Sequence, residues 1–115
     1  MRPRNFSTRH YSDKQEKAVA KAINGKQTAN SGATVWSKGD VTSDLFLMEC
    51  KTHTEFRESF TIKHDWIIKN REEAFQMGKR HSALVLDFGD QENHYLISEK
   101  DFLFLLAKLR EENDM

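Results

Sequence analysis

The chain has 115 residues, of which 37% are hydrophobic and 31% charged, and its formal net charge is zero. That length suits one modest core, and the composition excludes a disordered chain. The longest apolar run, Phe102 to Ala107, is far short of the roughly 20 residues that span a bilayer, so no membrane partner is expected.

A net charge of zero argues, on its own, against a nucleic-acid binder. The distribution says more. Residues 1–30 hold seven Lys/Arg against two acids, which leaves that stretch at +5 and the remainder at −5. A basic N-terminal arm and first helix are expected, with acids gathered elsewhere, where they are available to hold a cation. The Arg-rich start is not followed by the apolar run of a secretory signal, and Cys50 has no partner for an internal disulfide. Both features lead to an expected cytoplasmic location.

Residues 1–11 show no apolar periodicity and read as a flexible basic arm, ahead of a single domain over 12–110. Ser12, with Gln15 three residues on, has the form of a capping box, and the helix it opens is expected to run to about Asn24 and stop at Gly25. Val19, Ala20 and Ile23 mark its core face, and helical spacing places Glu16 on that same face. Lys26 to Gly32 reads as a polar loop and Ala33 to Trp36 as the start of a β-rich stretch. Asp40 to Thr42 then leads through a turn at Ser43 and Asp44 into a strand, Leu45 to Thr52. Leu45, Leu47, Glu49 and Lys51 alternate with Phe46, Met48, Cys50 and Thr52, and both faces begin apolar, so this strand is expected to be central. Glu49 and Lys51 emerge together at its C-terminal end.

A second helix is expected over about Lys63 to Met77, with Trp66, Ile67, Ala74 and Met77 on one face and Gly78 closing it. Ala83 to Phe88 and His94 to Ile97 read as strands around a turn at Gly89 and Asp90. Ser98 and Asp101 open a last helix, with Phe102, Leu105, Leu106 and Leu109 at helical spacing. Leu103 and Phe104 lie off that stripe, an excess of apolar surface that points to a dimer interface, and residues 111–115 read as a frayed tail. The whole is an α/β layout, with a central mixed β-sheet of about four to five strands flanked by helices.

The candidate chemistry lies in Glu49 and Lys51, in Asp40 on the preceding strand and in Glu16 on the first helix. Hydrolysis of a phosphodiester needs an activated water and relief of phosphate charge, and hard divalent cations on carboxylate oxygens supply both. A short hairpin folds Asp40 back toward Glu49, so that a Mg²⁺ ion between them would leave Lys51 to orient or deprotonate water and to stabilise the pentacovalent phosphate. Glu-x-Lys alone is also common on solvated strand ends; the upstream Asp and the helix Glu are what give it weight here. Asp44 competes with Asp40, but its neighbours Thr42 and Ser43 mark it as a turn residue. The five histidines lack metal-ligand spacing and read as surface or loop residues, while Trp36, Trp66 and the phenylalanines read as core or interface rather than base-stacking groups.

The segments Asn30-Ser31-Gly32-Ala33, Lys38-Gly39-Asp40-Val41 and Leu47-Met48-Glu49-Cys50-Lys51-Thr52 resemble the nuclease core of Holliday junction resolvases of the archaeal and phage type, within the PD-(D/E)xK superfamily. The resemblance spans roughly residues 10–100. It implies a small restriction-endonuclease-like core, with Asp40, Glu49 and Glu16 as metal-binding acids, Lys51 as the catalytic lysine, and Ser31 and Lys63 as supporting positions. It also implies Mg²⁺ or Mn²⁺, a homodimer, and paired nicks across a four-way DNA junction, in the host cytoplasm if the chain is phage-encoded. Arg4, Arg9 and Lys38 would then grip the DNA backbone. Gly39 stands where the superfamily commonly has Pro. The competing readings are a nuclease for flaps, repair or restriction substrates, a non-catalytic DNA-binding or assembly protein on the same fold, and a protein-interaction module built on the Phe102 to Leu106 surface.

Overall fold

The computed structural model describes residues 8–28 and 40–114. The expected strand at 33–36 and the candidate residues Arg4, Ser31 and Lys38 lie outside the described residues. The elements in chain order are α1 (Thr8–Ala22), β1 (Lys26–Gln27), β2 (Asp40–Thr42), β3 (Phe46–Thr52), α2 (His64–Gln76), β4 (His81–Asp87), β5 (Asn93–Leu96) and α3 (Glu99–Asn113). The fold is α/β, with a five-stranded mixed sheet in the order β1-β2-β3-β4-β5 and three helices. Adjacent strands are antiparallel except β3 and β4. Parallel neighbours need a crossover, and α2 supplies it.

The central position of β3, expected from its two apolar faces, is explained by helices on both sides of the sheet. On one face Val41, Met48, Cys50, Ala83 and Val85 pack with Val19 of α1, and Ala20 and Ile23 close the margin. The alternate residues Leu47 and Leu84 are fully buried on the other face, where α2 contacts β3 and β4. Asn70 and Ala74 are the buried residues of α2, and the Asn70 side-chain amide donates to the Leu47 carbonyl at 3.4 Å.

Several boundaries differ from the sequence reading. Helix α1 begins at Thr8, so Thr8 to Tyr11 belong to a helix and not to a flexible arm, and Ser12 lies inside it. Capping preference is a weak prior that tertiary contacts override: Gln15, the expected box partner of Ser12, is buried with its amide on the Lys51 and Val85 carbonyls. Lys26 and Gln27, expected in a loop, pair with Thr42 and Val41 as an edge strand. Two polar residues are too few to show a period of two. The pairing brings Gly25 so close to β2 that a Cβ there would sit 2.3 Å from the Thr42 carbonyl oxygen. The last helix continues to Asn113, beyond the expected start of fraying.

Helix α3 opens at the expected Ser98 cap, whose hydroxyl accepts from the Asp101 amide at 3.2 Å, while the Asp101 carboxylate turns to His81 instead of closing the box. The helix is fastened to the sheet by a contact that the sequence reading did not anticipate. His81, expected at the surface, is buried in β4, and its Nδ1 is 2.6 Å from Asp101 Oδ1. The rings of Phe46 and Phe104 each lie 5.0 Å from the His81 ring. Beyond this joint α3 is open: Phe102, Leu103 and Leu109 are 54%, 52% and 58% exposed. Among the described residues, no helix is long and apolar enough to cross a membrane.

The segment after β3 is braced against the β4–β5 turn. The His53 amide donates to the Asp87 carbonyl at 3.0 Å and the Arg57 amide to the Phe88 carbonyl at 2.9 Å. Asp87 Oδ1 holds the turn by accepting from the Gly89 and Gln91 amides. Gly89 has φ +101°, and a Cβ there would meet the Glu55 carbonyl and the Phe56 amide nitrogen at 2.6 Å. Gly89→Ala is therefore expected to cost about 2 kcal/mol or more, through strain and a backbone clash together. Urea unfolding measures this, and a loss within about 0.5 kcal/mol, the scatter of ordinary surface changes, would show that the bracing is slack.

Candidate active site

The hairpin of β2 and β3 sets Asp40 directly opposite Glu49. The turn that allows it is tight, with the Ser43 amide donating to the Phe46 carbonyl at 3.0 Å and the Ser43 hydroxyl accepting from the Phe46 amide at 3.2 Å. Asp44 lies exposed in this turn, which leaves Asp40 as the inward acid. Because Val41 belongs to the α1 face, Asp40 and Glu49 point to the α2 face. Lys51, two residues beyond Glu49, shares that side.

Glu73 of α2 joins them. Its carboxyl is within hydrogen-bonding range of Asp40 and its charge acts on both Asp40 and Glu49. The sequence reading missed Glu73, although the signal was present: it lies seven residues after Trp66 and three after Asn70, on the stripe that faces the sheet. Asp40 is only 3% exposed. Burial, reinforced by the charges of Glu73 and Glu49, pushes its pKa up to about 8. Glu49 is pushed up by burial and by Glu73, against the opposing pull of Lys51.

Among the described residues, Lys51 forms an ion pair with Glu49, and Lys69 adds a weaker pull. The Lys51 Nζ lies 3.9 Å from Glu49 Oε2, an ion-pair separation too long for a hydrogen bond, and 4.4 Å from the centre of the Trp66 ring. The backbone beneath it is pinned from α1, where the Gln15 side-chain amide donates to the Lys51 carbonyl at 3.0 Å and to the Val85 carbonyl at 3.2 Å. Gln15 thus lies buried between two strands rather than closing a capping box.

Glu16 approaches from the opposite face. It is half-buried, accepts from Gln27 Nε2 at 3.2 Å, and lines a cleft of about 530 Å³ with Arg9, Asp13, Cys50 and Lys51. Burial raises its pKa, and the Gln27 hydrogen bond opposes the rise. Its charge reaches Asp40, but its carboxyl is held by Gln27 while Glu73 occupies the place beside Asp40. Arg9 is exposed at the cleft margin. Lys63 is exposed at the N-cap of α2 and makes no side-chain capping bond.

The donor set suits a hard divalent cation. Asp40 Oδ1 and Glu49 Oε2 are both buried without a hydrogen-bond partner among the described residues, Lys51 standing 3.9 Å from the latter, and a buried acceptor in that condition is costly unless positive charge meets it. Asp40, Glu49 and Glu73 are met, among the described residues, by the ion pair to Lys51 and the weaker pull of Lys69 on Glu49. Among the described residues, no three acidic, histidine or cysteine groups converge closely enough to form a closed metal cage, so the preformed part is the Asp40–Glu49 pair. Comparison with protein-family models, with curated proteins and with solved structures gives no match.

The raised Asp40 pKa has a definite pH signature. Between about pH 4 and pH 8 the folded, metal-free protein keeps a proton that the unfolded chain releases, so this group's contribution to stability falls as pH rises through that window. Relative to Asp40→Asn, the wild type in chelator is expected to lose melting temperature steadily from pH 5 to pH 8.5. Mg²⁺, which competes with that proton, is expected to raise the wild-type Tm more at pH 8.5 than at pH 6. Scanning calorimetry of both proteins across that range checks this; parallel pH profiles with no extra Mg²⁺ effect at high pH would remove the account of Asp40.

Proposed function

We propose that the chain is a Mg²⁺- or Mn²⁺-dependent endodeoxyribonuclease of the PD-(D/E)xK type, acting in the cytoplasm as a homodimer that nicks four-way DNA junctions. The observation that carries this reading is the cross-strand pair Asp40 and Glu49, each with a buried oxygen that lacks a donor among the described residues, beside Lys51 at the end of a central strand. Asp40 and Glu49 would hold the cation, with Glu73 beside them. Bound there, it would supply charge relief on the phosphate and a more acidic water.

The chain's own residues account for the rest. Glu49 and the Trp66 ring keep the Lys51 ammonium at the edge of the carboxylate pair, where it stabilises negative charge developing on a phosphate oxygen. Gln15 fixes the strand from which Lys51 projects. Arg9 and Lys63, both exposed, supply backbone contacts of the kind that carry no sequence information.

Junction cleavage calls for two sites at a fixed separation. The exposed Phe102, Leu103, Leu105 and Leu109 on α3 offer an apolar surface to a second copy. A nuclease for flaps or duplex sites uses the same chemistry, and the zero net charge favours a smaller DNA footprint of that sort.

Purified protein incubated with labelled four-way junction and matched duplex, with Mg²⁺ or chelator, separates these readings. Paired nicks in the junction alone are expected, abolished by chelator and reduced at least about 100-fold in Asp40→Asn and Lys51→Ala. Equal cutting of both DNAs would leave a nuclease with another substrate, and binding without metal-dependent cutting would reject catalysis. For the assembly, Leu103→Glu with Leu105→Glu is expected to give a monomer in sedimentation and to uncouple the two nicks. A variant that still sediments as a dimer would place the interface elsewhere.

A further inference from the structure

A second cleft, of about 390 Å³, opens from Lys51 on the α2 side of the sheet. Its lining carries the cations Lys51 and Arg57, the hydroxyls of Ser59 and Thr61, and the rings of Phe60 and Trp66, with no carboxylate among its described lining residues. That contrasts with the cleft on the α1 side, where Asp13 and Glu16 take part. The chain as a whole is neutral, so a cleft lined by Arg57 and by Lys51, the latter partly balanced by Glu49 behind it, with no acid in its own wall, is a local departure that suits an anion.

The walls are built. Backbone bonds from His53 to Asp87 and from Arg57 to Phe88 tie the 53–57 segment to the end of β4, and the close approach of Gly89 to Glu55 and Phe56 leaves it no room to shift inward. The His53 and Phe60 rings lie 4.4 Å apart at 40°, and Phe60 meets Phe88 edge-on at 5.6 Å. Arg57 itself is exposed, and a guanidinium of that kind pairs with phosphate oxygens two at a time. Aromatic rings beside such a cation offer a face to an unstacked base of any sequence.

We infer that this cleft receives one unpaired nucleotide of the DNA strand next to the scissile phosphate, with its phosphate on Arg57 and the Ser59 and Thr61 hydroxyls and its base against Phe60 and Trp66. The inference rests on the nuclease reading, since Lys51 forms the shared wall between the cleft and the carboxylate pair. Such a cleft would give a preference for branched DNA: a paired, stacked nucleotide cannot enter, whereas one at a junction or flap is already partly unstacked.

The test follows Trp66 emission in a Trp36→Phe background while a short oligothymidylate strand, or a blunt duplex of equal length, is titrated in chelator so that nothing is cut. Saturable quenching by the single strand is expected, with the duplex at least about tenfold weaker. Arg57→Ala is expected to weaken single-strand binding by about tenfold, with Arg57→Lys falling in between. Absence of quenching, equal response to the duplex, or unchanged binding by Arg57→Ala would overturn the inference. The two readings fail separately: quenching without metal-dependent cleavage by the wild type removes the nuclease, while junction cleavage with an unaltered Arg57→Ala removes only the cleft.

Discussion

The structure turns on two carboxyl groups facing each other across an antiparallel pair. Asp40 and Glu49 are cross-strand partners, and two ionised carboxyls in that arrangement would oppose the pairing that creates it, which is why Asp40 keeps its proton up to about pH 8. Burial makes the opposition stronger, and Glu73 adds to it from α2. The hydrophobic layers on the two faces must outweigh this cost. They also keep the register, because a slip of one residue would turn Val41 and Met48 toward α2 and send the acids into the α1 core. Lys51 lessens the conflict without ending it, since it stays 3.9 Å from Glu49. Ionising both acids therefore calls for more positive charge than Lys51 supplies.

Much of this was legible in the residues themselves. The alternation along Leu45 to Thr52 identified β3 as central and put Glu49 and Lys51 on one side of it, and the brevity of the turn at Ser43 and Asp44 forced Asp40 against Glu49. The mixed α/β sheet followed from the order of periodic segments. What escaped had weak local signals. Edge strand β1 is two polar residues long, and its pairing depends on β2 rather than on any pattern of its own. The start of α1 was obscured because Ser12 and Gln15 imitate a capping box, whereas Gln15 is a buried donor to two strands. Glu73 lay on a visible helical stripe but was passed over because its neighbours there are mostly apolar or amide residues. His81 could not be placed from sequence at all, since its burial is made tolerable by Asp101, twenty residues away.

The two faces of β3 have different duties. The α1 side is mainly structural: an apolar cluster with a buried thiol, Cys50, whose pKa burial and the nearby Glu16 and Asp40 charges push up, so that it stays protonated and inert. The α2 side carries the acids, the lysine and the Trp66 ring. Gln15 spans this division, since it rises from the structural side to hold the carbonyl of Lys51. A helix that contributes to packing thus also sets the position of the charged side chain on the other face.

The joint between α3 and the sheet ties the outer surface to that same strand. Phe104 touches His81, His81 touches Phe46, and Phe46 is the first residue of β3, whose far end presents Glu49 and Lys51. Residues on the exposed helix are therefore not free to vary independently of the centre. A substitution at Phe104 that suits a new neighbour must also leave the imidazole seated, and one that unseats it is felt at the root of β3. Phe46, His81, Asp101 and Phe104 thus form one packed unit, and a change to any of them alters the seat of the others.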